Sequence, residues 1–183
     1  MALLETPAKS DNFKAPDFTL KNIDNAMMSL DDVRGEKGTA LFFICNHCPY
    51  VIAIVDRLVP TAKKLQDMGF GVAAIMANDT ENYPADSFEN MQKFAAHHNF
   101  TFPYLIDETQ ETARAYGAVC TPDIFGFDAG DTLKYRGRLD SAGPQEASAD
   151  TAPELLEAMR QIEQGQEPTA PQFPSMGCSI KWR

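Results

Sequence analysis

The order of apolar segments predicts an α/β fold in which a central mixed β-sheet is flanked by helices. Three observations carry this. Short β-type runs alternate along the chain with stretches of helical period. Residues 39–44 and 70–77 are almost unbroken apolar runs, which suits strands buried on both faces. Residues 124–127 and 132–137, joined by Asp128-Ala129-Gly130-Asp131, form a hairpin signal, so antiparallel pairing joins the parallel crossovers.

The elements follow in order. Residues 18–20, after Ala15-Pro16-Asp17, give a first strand, and residues 30–33 a helical turn stopped by Gly35. Residues 39–44 are the expected central strand. From Pro49 the period changes: Val51, Val55, Leu58, Ala62 and Leu65 recur at helical spacing until Gly69, with a kink expected at Pro60, which lacks an N–H. After the strand 70–77, Phe88, Met91, Phe94 and Ala95 mark a helix ending near His97 and His98, read as caps. Residues 104–106 form a short strand, and 109–116 a short helix stopped by Gly117. A further strand precedes the hairpin, and Pro153 opens a last helix through residue 162. Pro168, Pro171 and Pro174 favour an extended tail, and Met176, Ile180 and Trp182 argue that it packs back on the domain.

With 183 residues the chain is expected to form a single domain, 1–183, with an N-terminal arm at 1–15 and the tail at 165–183. A chain of this size buries roughly 70% of its unfolded surface, so no disulfide framework is needed. Twenty-six acidic side chains against 16 basic give a net charge of −10, and the pI is about 4.7. Both argue against nucleic acid or an anionic membrane as partner. The first 15 residues lack a secretory signal, and no apolar run is long enough for a bilayer span, so a reducing cytoplasm is the expected location. In that setting closely spaced cysteines are for catalysis or metal.

Two of the four cysteines are close: Cys45-Asn46-His47-Cys48 lies where the buried strand gives way to the amphipathic helix. At a helix start the free N–H groups and the dipole favour an anion, so Cys45 is expected to ionise near neutral pH as nucleophile, with Cys48 one turn away to resolve it. His47, if protonated, adds a charge that tunes the thiolate pKa; the alternative is a surface histidine. The competing readings of the CxxC are a structural pair and half of a metal site.

The stretch Leu41-Phe42-Phe43-Ile44-Cys45-Asn46-His47-Cys48-Pro49-Tyr50-Val51 resembles the thioredoxin-like superfamily, as do Ala15-Pro16-Asp17-Phe18-Thr19-Leu20 and Cys120-Thr121-Pro122-Asp123. Within it the chain is similar to the CxxC-containing, peroxiredoxin-like proteins of the alkyl hydroperoxide reductase and thiol-specific antioxidant family, and the ending Gly177-Cys178-Ser179-Ile180-Lys181-Trp182 matches that branch. The resemblance implies a thioredoxin-like fold, Cys45 as attacking and Cys48 as resolving thiol, and a cis Thr121-Pro122 bond facing them to bind substrate. Cys120 and Cys178 are candidate auxiliary thiols. For Cys120 a small buried hydrophobe is the preferred reading, while Cys178 is either a resolving thiol or an anchor of the tail. Two departures stand out. Ile44 replaces the tryptophan usual in thioredoxins, and neither cysteine register supplies the proline and threonine that precede a peroxidatic cysteine. Arg136 and Arg138 are the remaining charges for a peroxide site, and solvated strand arginines are their ordinary reading.

The leading expectation is a thiol-disulfide oxidoreductase cycling this dithiol, with no cofactor and no bound metal, acting on protein or small-molecule thiols and disulfides. A thiol-dependent peroxidase is the alternative, with peroxide as substrate. Copper or zinc binding or delivery ranks third, because thiolates select soft ions but the thioredoxin-like copper carriers space their cysteines by three residues. The sequence leaves the oligomeric state open.

Overall fold

The computed structural model describes residues 3–183, so the first two residues of the expected arm lie outside the described residues. The central strand β4 (Gly38–Phe43) is buried along its whole length, and its alternating side chains serve two cores. Ala40, Phe42 and Ile44 face one side and Leu41 and Phe43 the other. Strand β5 (Gly71–Met76) repeats the division with Val72, Ala74 and Met76 against Ala73 and Ile75. An unbroken apolar run is what a strand covered by helices on both faces requires.

β4 pairs parallel to β5, and β5 parallel to β6 (Tyr104–Ile106). On the other edge β4 pairs antiparallel to β8 (Asp123–Asp128), which continues into β9 (Leu133–Gly137) through the expected hairpin. With β2 (Thr19–Asn22) and β3 (Met27–Ser29) the sheet runs β3-β2-β6-β5-β4-β8-β9. One face carries α2 (Pro49–Asp67), α3 (Phe88–His97) and α5 (Glu154–Glu163). The other carries α1 (Leu30–Val33), capped by Ser29 and Asp32, and α4 (Glu111–Tyr116). Among the described residues no helix is long and apolar enough to cross a membrane.

Several elements differ from expectation. α4 starts at Glu111 because Gln110 takes a left-handed φ of 64°, which a helix cannot contain. Pro153 caps α5 from outside its first turn. The tail is not simply extended: Met176–Ser179 forms β10, the middle of a second sheet between β1 (Leu3–Glu5) and β7 (Cys120–Thr121). Strands of two to four residues are too short to show a period. Ile180 is buried as expected, but Met176 and Trp182 keep 39% and 37% of their surface exposed; the Arg114 guanidinium covers one face of the indole at 4.3 Å. Polar groups hold the chain end. The Lys181 N–H donates to Asn78 Oδ1 at 2.9 Å, and the Lys181 carbonyl accepts from Gln110 Nε2 and the Asp79 N–H, both at 2.8 Å.

Candidate active site

The cysteine pair lies in the turn between β4 and α2. Ile44 still donates to the Ile75 carbonyl at 3.0 Å, and beyond it the chain leaves the sheet. Pro49 occupies the first helical position, where a missing N–H costs nothing. The helix cap is therefore Cys48, whose carbonyl accepts from the Val51 and Ile52 N–H groups at 3.0 Å. This corrects the expectation for Cys45, which sits three residues before the cap rather than at the helix end. Nor is it exposed: Cys45 is 1% and Cys48 0% accessible.

Both sulfurs reach one residue: Cys45 Sγ lies 3.3 Å from Thr121 Oγ1, and Cys48 Sγ donates to the Thr121 carbonyl at 3.1 Å. The bond from the Cys45 thiol lowers Cys48 to about 5 against the resistance of burial, aided by bonds from Cys178 and the Val51 N–H. Cys45 is raised well above the ordinary thiol value, first by its bond to Cys48, then by burial and by the Asp86 charge. The two thiols are thus shifted in opposite directions and titrate as one unit. The positive end of the helix dipole lies at the second cysteine.

Asp86 is a component the sequence did not signal. It ends the 3₁₀ turn Pro84–Asp86, forty positions from Asn46, and is completely buried. Its carboxylate accepts from the Asn46 N–H and from Asn78 Nδ2, both at 2.8 Å. His47, the expected tuner of the thiolate, places Nδ1 2.8 Å from Asp86 Oδ2, with its ring parallel to that of Tyr83. The carboxylate of Asp86 is therefore the charged neighbour of the His47 ring. Donor atoms of Cys45, His47 and Asp86 lie within 4.8 Å of one another, so these are the residues that can hold a soft or borderline metal ion.

The Thr121-Pro122 peptide is cis, and Pro122 lines a groove with Tyr50, Ile54 and Met176, whereas Thr121 is buried against the sulfurs. Cys120 is fully buried, its sulfur 3.9 Å from the Pro122 carbonyl; burial, with the Asp123 charge, pushes its thiol up to about 12. Cys178 joins the site, packed in the same cluster as Cys48 and opposite Thr121 on the neighbouring strand. The two arginines do not. Arg136 is buried on Asp123 at 2.7 Å and donates to the Gly117 carbonyl, and Arg138 is paired with Glu154 at 2.7 Å. The reading of these arginines as solvated is corrected, and neither supplies free charge to a peroxide. His97 ends α3, and His98 caps it with Nδ1 3.2 Å from Asp56 Oδ1.

Known proteins resemble this chain in sequence and in shape. It is 29% identical over 123 residues to the thiol-disulfide oxidoreductase ResA of Geobacillus thermodenitrificans, a match covering 66% of this chain and 64% of the relative. The chain thus spans under two thirds of that relative's length. The crystal structure of an uncharacterized conserved protein from Geobacillus kaustophilus superposes with a TM-score of 0.94 at 41% identity, covering 100% of this chain and 97% of the other. A secreted Mycobacterium tuberculosis disulfide oxidoreductase, homologous to E. coli DsbE, shares the fold with a TM-score of 0.54 at 20% identity, over 63% of this chain and 79% of its own. The thioredoxin-like fold is therefore established. Residues 12–136 match the sequence profile of the AhpC/TSA family, and with a mixed sheet that presents a CxxC at the head of α2, the chain belongs to that family.

Proposed function

We propose that the protein is a thiol-disulfide oxidoreductase in which Cys45 and Cys48 alternate between dithiol and disulfide. The carrying observation is that the two sulfurs meet on one residue, Cys45 Sγ at 3.3 Å from Thr121 Oγ1 and Cys48 Sγ at 3.1 Å from the Thr121 carbonyl. One proton is shared by the pair. Its passage from Cys45 to Cys48 makes Cys45 the thiolate, and that sulfur attacks a substrate disulfide, forming a mixed disulfide and expelling a thiolate. Cys48 then gives its proton to the departing thiolate and attacks Cys45 Sγ. This closes the Cys45–Cys48 disulfide and releases the second substrate thiol. The substrate gains two electrons and the dithiol loses them. The Asp86 charge near Cys45 keeps that sulfur basic, so its thiolate is scarce at rest but strongly nucleophilic once formed.

The ResA likeness supports this reading, and substrates of the same class, protein or small-molecule disulfides, are proposed with it. Trapping tests it. Cys48→Ser incubated with a disulfide substrate is expected to accumulate a stable mixed disulfide on Cys45, found by peptide mapping. Adducts only on Cys48, in Cys45→Ser, overturn the assignment of roles. A peroxidase is the second reading, favoured by the low value of Cys48. Peroxide consumption that survives Cys45→Ser and stops in Cys48→Ser would establish it.

A further inference from the structure

The dithiol cycle leaves one sulfur of the cluster unused. Cys178 lies on β10, whose register with β7 sets it opposite Thr121, the residue whose carbonyl meets Cys48 Sγ at 3.1 Å. The approach of β10 is close because residue 177 is glycine. A Cβ there would stand 1.9 Å from the Thr121 carbonyl oxygen and 3.0 Å from the Pro122 nitrogen, so no other residue lets the strand lie against the loop in this way. Cys178 is buried in the same apolar cluster as Cys45 and Cys48, directly across from the Thr121 that Cys48 Sγ touches. Cys48 thus has a sulfur on either side, Cys45 from the strand β4 turn and Cys178 from the tail. Cys120, whose sulfur is turned to the Pro122 carbonyl, is not part of this chain of contacts.

We propose that Cys178 is a third redox-active thiol that takes over the disulfide from the Cys45–Cys48 pair. The inference rests on the dithiol reading above. Its sulfur attacks Cys48 Sγ of the Cys45–Cys48 disulfide. The Cys48–Cys178 bond forms, the Cys45–Cys48 bond breaks, and the proton leaving Cys178 ends on Cys45. No net oxidation occurs and no further reactant is needed. The exchange moves the oxidised bond to a position between α2 and β10, and returns Cys45 to the thiol state with the protein still oxidised. A second substrate thiol or disulfide can then meet a free Cys45. Burial pushes the Cys178 thiol up, so the transfer is faster at higher pH, where more of its thiolate is available.

Disulfide mapping of the full chain decides it. The reduced protein is oxidised with diamide at pH 7 and pH 9, quenched in acid, alkylated and digested with trypsin without reduction. A Cys48–Cys178 bond joins the peptide 38–57 to the peptide 161–181, whereas a Cys45–Cys48 bond stays within 38–57. Wild type is expected to show both species, with faster cross-linking at pH 9. Cys45→Ser is expected to show the cross-link alone, and Cys178→Ser to lose it. Because the wild-type measurement needs no variant, a misfolded Cys45→Ser protein does not spoil the test. If wild type closes Cys45–Cys48 and never cross-links at either pH, the relay is overturned and the dithiol reading stands. If wild type closes no bond between Cys45 and Cys48, the dithiol reading falls and takes the relay with it.

Discussion

At the scale of single residues, the site turns on where one negative charge rests. Cys48 titrates near 5 in the fold against a reference of 9.0, so the folded state favours its thiolate. That contribution to stability is absent below about pH 5, grows as pH rises through the window up to 9.0, and is complete above it. Reduced wild type is therefore expected to gain stability over reduced Cys48→Ala between pH 5 and pH 8, measured by denaturant unfolding; a constant difference would contradict the assignment. Cys45 is shifted the other way, and the two sulfurs titrate as a unit. Asp86→Asn removes the charge that helps hold Cys45 up while keeping an acceptor for the Asn46 N–H. Alkylation of Cys45 should then rise at lower pH than in wild type, and an unchanged pH profile would remove Asp86 from the site. The CxxC itself was legible, because spacing and flanking residues are local. Pro49 also carried the clue that Cys48 is the cap. Asp86 was invisible, because nothing near Pro84-Ala85-Asp86 announces that its carboxylate ends beside Asn46.

At the scale of elements, the β8–β9 hairpin was legible from its turn residues, and so were the long helices and buried strands. Its chief polar feature was not. Arg136 looked like a solvated strand residue, yet it is buried with Asp123 and stacked over Phe125 at 4.4 Å. Burial outweighs the arginine and lifts Asp123 to about 6. Removing one partner of such a pair leaves the other uncompensated, so Arg136→Ala should cost about 3–5 kcal/mol in urea unfolding. A loss under about 1 kcal/mol would show that the pair is solvated. Strand β10 escaped notice for a different reason. Four residues cannot display a strand period, and its place is set by Thr121 and Leu3, far away in sequence.

At the scale of the molecule, the C-terminal residues close the site from behind. Asn78 donates to Asp86 and accepts from the Lys181 N–H, so the acid beside Cys45 and the chain end share one side chain. Gln110 fastens the same end through the Lys181 carbonyl at 2.8 Å and the Arg183 N–H at 2.9 Å. Gln110→Ala should loosen it, at a cost of about 1–3 kcal/mol for the groups left unpaired, and trypsin should cut after Lys181 faster than in wild type. Equal cleavage rates would mean that the other contacts suffice. Period and turn chemistry act over a few residues, so the alternation of strands and helices, the two-faced central strand and the presence of a dithiol could all be read along the chain. How the two thiols are shifted, which acid lies beside Cys45 and which distant cysteine packs beside Cys48 depend on long-range pairing. Burial and neighbouring charge shift a thiol by several units, and those exist only once β7, β10 and the Asp86 turn have converged on the head of α2.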